Sequence, residues 1–252
     1  MVRQNWSRNE LIVAFNLYCK MPFSKINHSN VDVKALAAII GRSPNSVALK
    51  LANFARLDPA LKKRNVAGMS HGSKGEVEIW DEFHADWDAL AFQSEEILAG
   101  LHHTSVENTA GISTVDLPKE GREREAVVRT RVNQAFLRKT ILASYDFRCC
   151  ITGIQIPELL IASHIVPWSD DLKNGVNPCN GLCMNALHDR AFDCGLMTVT
   201  TDLVICYSRR LKNAPSSEFF AEYNNKKISA PNRFAPKKEF LEYHNKKIFR
   251  NN

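Results

Sequence analysis

The densest set of side chains that could carry out chemistry lies between residues 158 and 195. His164 follows an apolar run, Asn180 comes 16 residues later, and His188 follows after 8 more. Histidine titrates near neutral pH and serves as a general base or a metal ligand, and asparagine both donates and accepts hydrogen bonds. Taken singly, each residue is more typical of a core, a turn or a helix end. Their order and spacing together indicate an active site.

Hydrolysis of a phosphodiester is a reaction that fits this set. It needs a base that deprotonates water, a cation near the phosphate and the leaving oxygen, and a scaffold that holds both. His164, at the end of an apolar run, suits the base. His188 could ligate a divalent ion, and Asp189 beside it could either help to bind that ion or pair with a nearby arginine. Asn180 could hold the loop between them in shape.

The elements that must position these residues follow from the local pattern. Residues 159–165 are apolar and predict a buried strand, and residues 185–192 predict a short helix. A polar, turn-rich loop joins the two. Residues 196–200 and 203–207 then predict a hairpin. A strand followed by such a loop and a helix can bring His164, Asn180 and His188 together.

The first hundred residues have helical signals. Ser7 and Glu10 have the spacing of a capping box, so a helix is predicted over residues 8–20. Residues 32–40 predict a second helix, and Ser43 followed by proline begins a third. Two helices joined by a short turn with glycine are typical of a helix-turn-helix.

Three polar residues of the third helix, Asn45, Lys50 and Asn53, could face a DNA groove. Seven basic residues and one acidic residue lie between Lys34 and Arg64. The alternative is a plain three-helix bundle with a solvated basic face.

Residues 102–121 have little apolar periodicity and predict a linker. The sequence therefore predicts two domains, residues 1–101 for DNA targeting and residues 122–252 for chemistry. The second domain begins with a long helix, and three of its arginines are candidates for phosphate contact, although ordinary solvation explains them equally well. They are Arg129, Arg131 and Arg138.

Charge is unevenly distributed along the chain. Residues 1–121 hold 13 basic and 14 acidic side chains, and residues 122–252 hold 20 and 13. A basic half of this size is compatible with a polyanionic partner or with a solvated surface.

Neither an apolar run of about 20 residues nor a signal peptide is present, so no membrane association and a cytoplasmic location are expected. The seven cysteines form no Cys-x-x-Cys pair, which favours reduced thiols over a zinc site.

The run ELLIASHIVPW followed by NPCNGLCMNALHDRAFDCGLMTV resembles the HNH endonucleases. Three flanking pieces are similar to the branch found in restriction-type and phage-defence nucleases, and the resemblance extends over roughly residues 125–250. These pieces are the basic helix that ends in Phe147-Arg148-Cys149, the turn Thr152-Gly153, and Leu241-Glu242-Tyr243-His244. The resemblance implies an α+β chain, in which a helical, helix-turn-helix-like domain precedes a ββα-metal nuclease domain.

The resemblance also assigns roles. His164 would be the general base, Asn180 the asparagine that organises the loop, and His188 a metal ligand. Many HNH enzymes have aspartate or histidine directly before the base, and here that position is Ser163. A serine hydroxyl is a poor ligand, so Asp189 or Asp193 could help to hold the ion.

The activity implied is a DNA endonuclease that depends on Mg²⁺ or Mn²⁺, contains no structural zinc and serves in restriction or phage defence. Its first domain would select double-stranded DNA by sequence or by a modified base, and a homodimer would cut both strands. One alternative is a helix-turn-helix regulator with an inactive nuclease-like domain. Another is an RNA nuclease.

Overall fold

The computed structural model describes residues 5–64, 72–215 and 217–251. The chain forms two compact units, Met1–Lys139 and Thr140–Asn252. The first unit is helical. Its helices are α1 (Arg8–Lys20), α2 (Val31–Ile39), α3 (Pro44–Ala55), α4 (Pro59–Lys63), α5 (Lys74–Ala85), α6 (Trp87–His102), α7 (Val106–Ala110) and most of α8 (Arg122–Ser144).

The second unit mixes short strands and helices. Its strands are β1 (Leu160–His164), β2 (Gly181–Asn185), β3 (Met197–Val199) and β4 (Ile205–Tyr207). Its helices are α9 (Ala186–Asp193), α10 (Arg209–Lys212), α11 (Glu218–Ala221) and α12 (Lys238–Tyr243), followed by a π-helical turn, His244–Ile248. The α+β class with a helical first part is therefore confirmed. The helix-turn-helix assignment stays a prediction.

The two units divide inside α8, after Lys139. The segment 102–121, predicted as a linker, contains α7 and lies within the first unit. By this division the first unit holds 19 basic and 16 acidic residues, and the second holds 14 and 11. The positive excess of 7 expected over residues 122–252 is therefore divided, with 4 on the part of α8 in the first unit and 3 in the second unit. The functional domains 1–101 and 122–252 stay predictions.

The helix signals of the first unit are local, and the structure confirms them. The Ser7 hydroxyl accepts a hydrogen bond from the Glu10 amide, and the Glu10 carboxylate accepts one from the Ser7 amide at 2.6 Å. Ser43 caps α3 by accepting from the Ser46 amide, with Pro44 as the first helical residue. Each cap satisfies an amide that has no partner inside its helix.

Aromatic rings fill the core of this unit. Phe15 on α1 lies 4.9 Å from the Phe54 ring and 5.3 Å from the Trp80 ring, and both neighbours are buried. Trp87 on α6 completes the cluster at 6.2 Å. Trp80 and Trp87 lie on separate helices, because Asp86 ends α5 and caps α6 by accepting from the Ala89 amide. The break lets both indole rings reach Phe15.

A buried carboxylate corrects the prediction for two residues of α3. Lys50 and Asn53 are 7% and 8% exposed, and both donate hydrogen bonds to the carboxylate of the fully buried Glu76. Burial alone would raise the pKa of Glu76, but the hydrogen bonds from Lys50 and Asn53 outweigh it and lower that pKa below its usual value. These two side chains therefore compensate an internal charge and do not face a groove.

The second unit is built around a strand–strand–helix arrangement. β1 and β2 pair antiparallel, and α9 follows β2 without an intervening loop. A β-carbon at Gly181, the first residue of β2, would lie 1.9 Å from the Ile141 side chain, so glycine permits this close approach. The hairpin β3–β4 follows and also pairs antiparallel. The predicted strand, short helix and hairpin are confirmed.

Candidate active site

A cleft of about 420 Å³ opens between the end of β1, α9 and the π-helical turn. Its polar lining consists of Ser163, His164, Asp189, Asp193 and His244. The β1–β2 pairing sets His164 opposite Gly181, the first residue of β2, so His164 lies at the far end of the pair from the start of α9. Because α9 follows β2 directly and packs back on both strands, its carboxylates reach the cleft that Ser163 and His164 line.

His164 is held through one of its ring nitrogens. Nε2 lies 2.9 Å from the carbonyl oxygen of Gly175 in the loop that follows β1. A carbonyl oxygen only accepts, so Nε2 must carry the proton in this contact, and Nδ1 of the neutral ring is then the basic nitrogen. The Trp168 ring lies 5.8 Å from the imidazole and lines the same cleft. His164 thus has the orientation and the free nitrogen that a general base requires.

Asn180 spans the loop that carries the acceptor for His164. It is fully buried, and its side chain accepts from the Val166 amide at 2.8 Å and donates to the Val166 carbonyl at 3.0 Å. The same amide group donates to the Asn174 carbonyl, next to Gly175, at 3.2 Å. These bonds are the geometry that a loop-organising asparagine needs. Its contribution to activity stays a proposal.

His188 does not belong to the cleft, which corrects its prediction as a metal ligand. Its ring is 2% exposed and lies edge-on to Phe220 and Tyr223, each at 5.4 Å. The Asn185 side-chain oxygen accepts from Nδ1 at 3.1 Å, and Nε2 is buried without a partner. Consecutive residues on a helix point about 100° apart, so His188 and Asp189 cannot face the same way.

Asp189 and Asp193 are the residues of α9 that do face the cleft, one turn apart. Desolvation raises the pKa of Asp189. The nearby Ser163 hydroxyl and the charges of Arg190 and His164 act in the opposite direction without cancelling that rise. Asp193 keeps solvent contact at the rim, yet desolvation and then the charge of Asp189 raise its pKa as well. Because the charge of Asp189 makes ionisation of Asp193 less favourable, a cation between the two carboxylates would be stabilising.

This donor set fits a hard divalent ion. Mg²⁺ is commonly bound through one or two carboxylates plus substrate phosphate, with water completing its shell. The Ser163 hydroxyl is 2% exposed and lacks a hydrogen bond of ordinary geometry, although it lies close enough to Asp189 to affect its pKa. Among the described residues, no group of three or more His, Cys, Asp or Glu side chains could hold an ion by itself. The prediction that structural zinc is absent stays a prediction.

The other predicted nucleic-acid contacts lie in the first unit. Asn45 is exposed on α3. Arg129 pairs with Asp88 at 2.7 Å, so part of its charge is already neutralised. The Arg131 guanidinium donates to the Ser113 carbonyl at 2.8 Å. Arg138 is exposed on α8. Contact of these residues with phosphate stays a prediction.

Sequence reasoning missed His244 as a residue of the cleft. Its ring is 1% exposed, stacks on Phe192 with 3.6 Å between ring centroids, and lies 2.8 Å from the Thr198 hydroxyl. The segment Leu241-Glu242-Tyr243-His244 is part of the resemblance, which assigned no role to His244. No local pattern connects it to a site that lies more than 50 residues earlier in the chain.

The two buried histidines predict that the second unit loses stability in mild acid. Burial lowers the pKa of both His188 and His244 to about 4, below the unfolded value of 6.5. The unfolded state therefore binds more protons, and the stability present above pH 6.5 is lost as the pH falls towards 4. We expect a loss on the order of 1–3 kcal/mol per histidine. Urea unfolding at pH 7.5, 6 and 5 measures the free energy of unfolding at each pH. His188→Phe should make that free energy depend less steeply on pH. An unchanged slope would contradict the assignment.

The histidine at the end of β1 and the two carboxylates on α9 together offer a base and ligands for a divalent ion. Residues 149–200 match the family model HNH_2, described as HNH endonuclease. The recognition of an HNH nuclease domain in this part of the chain is thereby confirmed. No curated protein matches the sequence. Within the described ranges, no helix is both long and apolar enough to cross a bilayer.

Proposed function

We propose that the chain is an endonuclease that hydrolyses DNA phosphodiesters with the help of Mg²⁺ or Mn²⁺. One observation carries the proposal. His164, oriented by the Gly175 carbonyl, shares a cleft with the carboxylates of Asp189 and Asp193. A base and a site for a hard cation are the two groups that phosphodiester hydrolysis requires in one place.

The chain's own residues account for the proton transfers. Nδ1 of His164 takes a proton from a water molecule, and the water oxygen attacks the phosphorus while the bond to the 3′ oxygen breaks. The Gly175 carbonyl, which accepts from Nε2, stabilises the imidazolium that forms. Asn180 keeps that carbonyl in place through its bonds to Val166 and Asn174. When bound by Asp189 and Asp193, the ion would supply positive charge for the phosphate and the departing oxygen.

The substrate and assembly follow from the same proposal. The first unit selects double-stranded DNA by its sequence or by a modified base, and the exposed basic residues of α8 contribute phosphate contacts. A double-strand cut needs two active sites or two successive nicks, so we propose a homodimer. Restriction or phage defence is the role that such a combination of targeting unit and nuclease fits. A cytoplasmic location stays a prediction.

Ser163 favours a second candidate, a DNA-binding regulator with an inactive nuclease-like domain. A hydroxyl stands where many HNH enzymes have an acidic or imidazole ligand, which leaves fewer strong donors for the ion. The two candidates differ in a simple observable, because the regulator binds DNA tightly without metal and cleaves none.

A cleavage panel tests the proposal. Supercoiled plasmid that is unmodified, methylated or hydroxymethylated is incubated with the purified chain and Mg²⁺, Mn²⁺ or EDTA, beside RNA of matched sequence. We expect nicked and linear DNA with either ion and intact DNA with EDTA. Metal-independent binding with no cleavage of any DNA would favour the regulator, and cleavage of RNA alone would establish an RNA nuclease.

A further inference from the structure

The π-helical turn His244–Ile248 contacts the nuclease site from the far end of the chain. It begins directly after α12, and two of its residues, His244 and Ile248, line the cleft beside Asp189 and Asp193. Short π-helical segments are rare and occur frequently at functional sites. The HNH family match ends at residue 200, so this segment lies outside it.

His244 holds the end of α9 in two ways. Its ring is nearly parallel to that of Phe192, at an angle of 12° and a centroid distance of 3.6 Å. Its Nε2 lies 3.3 Å from the Phe192 carbonyl oxygen, which also accepts from the Gly195 amide at 2.9 Å. That carbonyl belongs to the last turn of α9, where backbone oxygens lack partners inside the helix. A side chain from 52 residues later in the chain thus caps this helix.

The position of His244 is itself well determined. The Thr198 hydroxyl lies 2.8 Å from Nδ1, so both ring nitrogens have partners. The next residue, Asn245, donates to the Val199 carbonyl on β3 at 2.8 Å, and the Arg250 amide donates to the Gly195 carbonyl at 2.9 Å. The turn is therefore anchored to β3, and the segment directly after the turn is anchored to Gly195, two residues beyond the end of α9.

Phe192 lies directly before Asp193 and three residues after Asp189. A rotation or fraying of the last turn would move the Asp193 carboxylate relative to Asp189 and to His164. We propose that His244 is a positioning residue, which holds the last turn of α9 so that Asp193 and Asp189 present their carboxylates together to a divalent ion. The link to catalysis rests on the proposed nuclease function, whereas the link to α9 rests on the contacts alone.

Two variants of the full chain separate the contacts. His244→Phe keeps an aromatic ring on Phe192 and removes both hydrogen bonds, and His244→Gln keeps polar atoms that can reach Thr198 and Phe192. Asn245→Ala is the matched control, because it removes a hydrogen bond of the same turn to β3 without touching α9. Thermal unfolding shows that each variant is folded before it is used.

The first measurement needs no metal and no DNA. Amide hydrogen exchange over residues 186–195 should become faster in His244→Phe, be restored towards the wild-type rate in His244→Gln, and stay unchanged in Asn245→Ala. The second is the affinity for Mn²⁺ alone, followed by electron paramagnetic resonance. We expect about a tenfold loss in His244→Phe, the effect typical of groups that orient metal ligands.

Exchange and Mn²⁺ affinity at wild-type levels in a folded His244→Phe would overturn the proposal. So would a change in Asn245→Ala as large as that in His244→Phe, since the effect would then be general loosening of the turn. A wild-type chain that cleaves no DNA would defeat the proposed function, and the exchange rates of α9 would still decide whether His244 holds that helix.

Discussion

Replacing His164 with alanine is expected to lower the rate of DNA cleavage by about 100- to 10,000-fold, the range that a general base contributes. Its Nε2 is committed to the Gly175 carbonyl, which leaves Nδ1 to accept a proton from water. Alanine removes the base and leaves Asp189 and Asp193 in place, so Mn²⁺ binding should persist. Plasmid nicking under single-turnover conditions gives the rate, and Mn²⁺ affinity is measured on the same preparation.

The fold should tolerate this change, because His164 is half-buried at the very end of β1 and its loss leaves the β1–β2 pairing intact. His28→Ala, at an exposed histidine of the first unit, is the matched control and should cleave at the wild-type rate. Full activity in a folded His164→Ala would exclude His164 as the base.

Much of the fold followed from short-range patterns in the sequence. Three of these patterns each involve residues only a few positions apart. They are the capping box of Ser7 and Glu10, the cap and proline at Ser43 and Pro44, and the apolar run of β1. Such signals act through backbone amides and side-chain periodicity, which do not depend on the rest of the chain. The order of elements around the cleft was therefore predictable.

Contacts between distant segments were not predictable in the same way. Lys50 and Asn53 have polar side chains of the kind that DNA-binding helices expose. In this structure, however, they are buried against Glu76, which lies 26 residues after Lys50. Nothing in the local pattern of α3 reveals a buried carboxylate on α5. His244 reaches α9 from an even greater distance in sequence.

The candidate site illustrates both cases. His164 ends β1 and Asn180 lies directly before β2, and each is tied to near neighbours in the loop between the two strands. The choice among residues of α9 depended on the rotation of that helix about its axis, which the sequence did not reveal. His188 faces aromatic rings, whereas the next residue, Asp189, faces the cleft. A rotation of α9 by one residue about its axis would exchange the two.

Replacing Asp193 with asparagine is expected to lower cleavage at fixed Mg²⁺ by about 100-fold or more, since a bound cation supplies several kcal/mol at the phosphate and each 1.36 kcal/mol corresponds to a factor of ten. Asparagine has nearly the same shape but carries no charge. The concentration of Mg²⁺ that gives half-maximal cleavage should rise, and part of the activity should return at high Mg²⁺. A Mg²⁺ titration of the nicking rate measures both effects.

His188→Phe is the contrasting variant, because it distinguishes the carboxylate pair from the ligand that the sequence favoured. An aromatic ring of similar size fits between Phe220 and Tyr223 and removes the buried nitrogen that has no partner. The variant should keep the wild-type dependence on Mg²⁺. If His188→Phe instead cleaved slowly and required more Mg²⁺, while Asp193→Asn kept wild-type activity, the ion would be bound on the other face of α9, and the cleft would not be the site of chemistry.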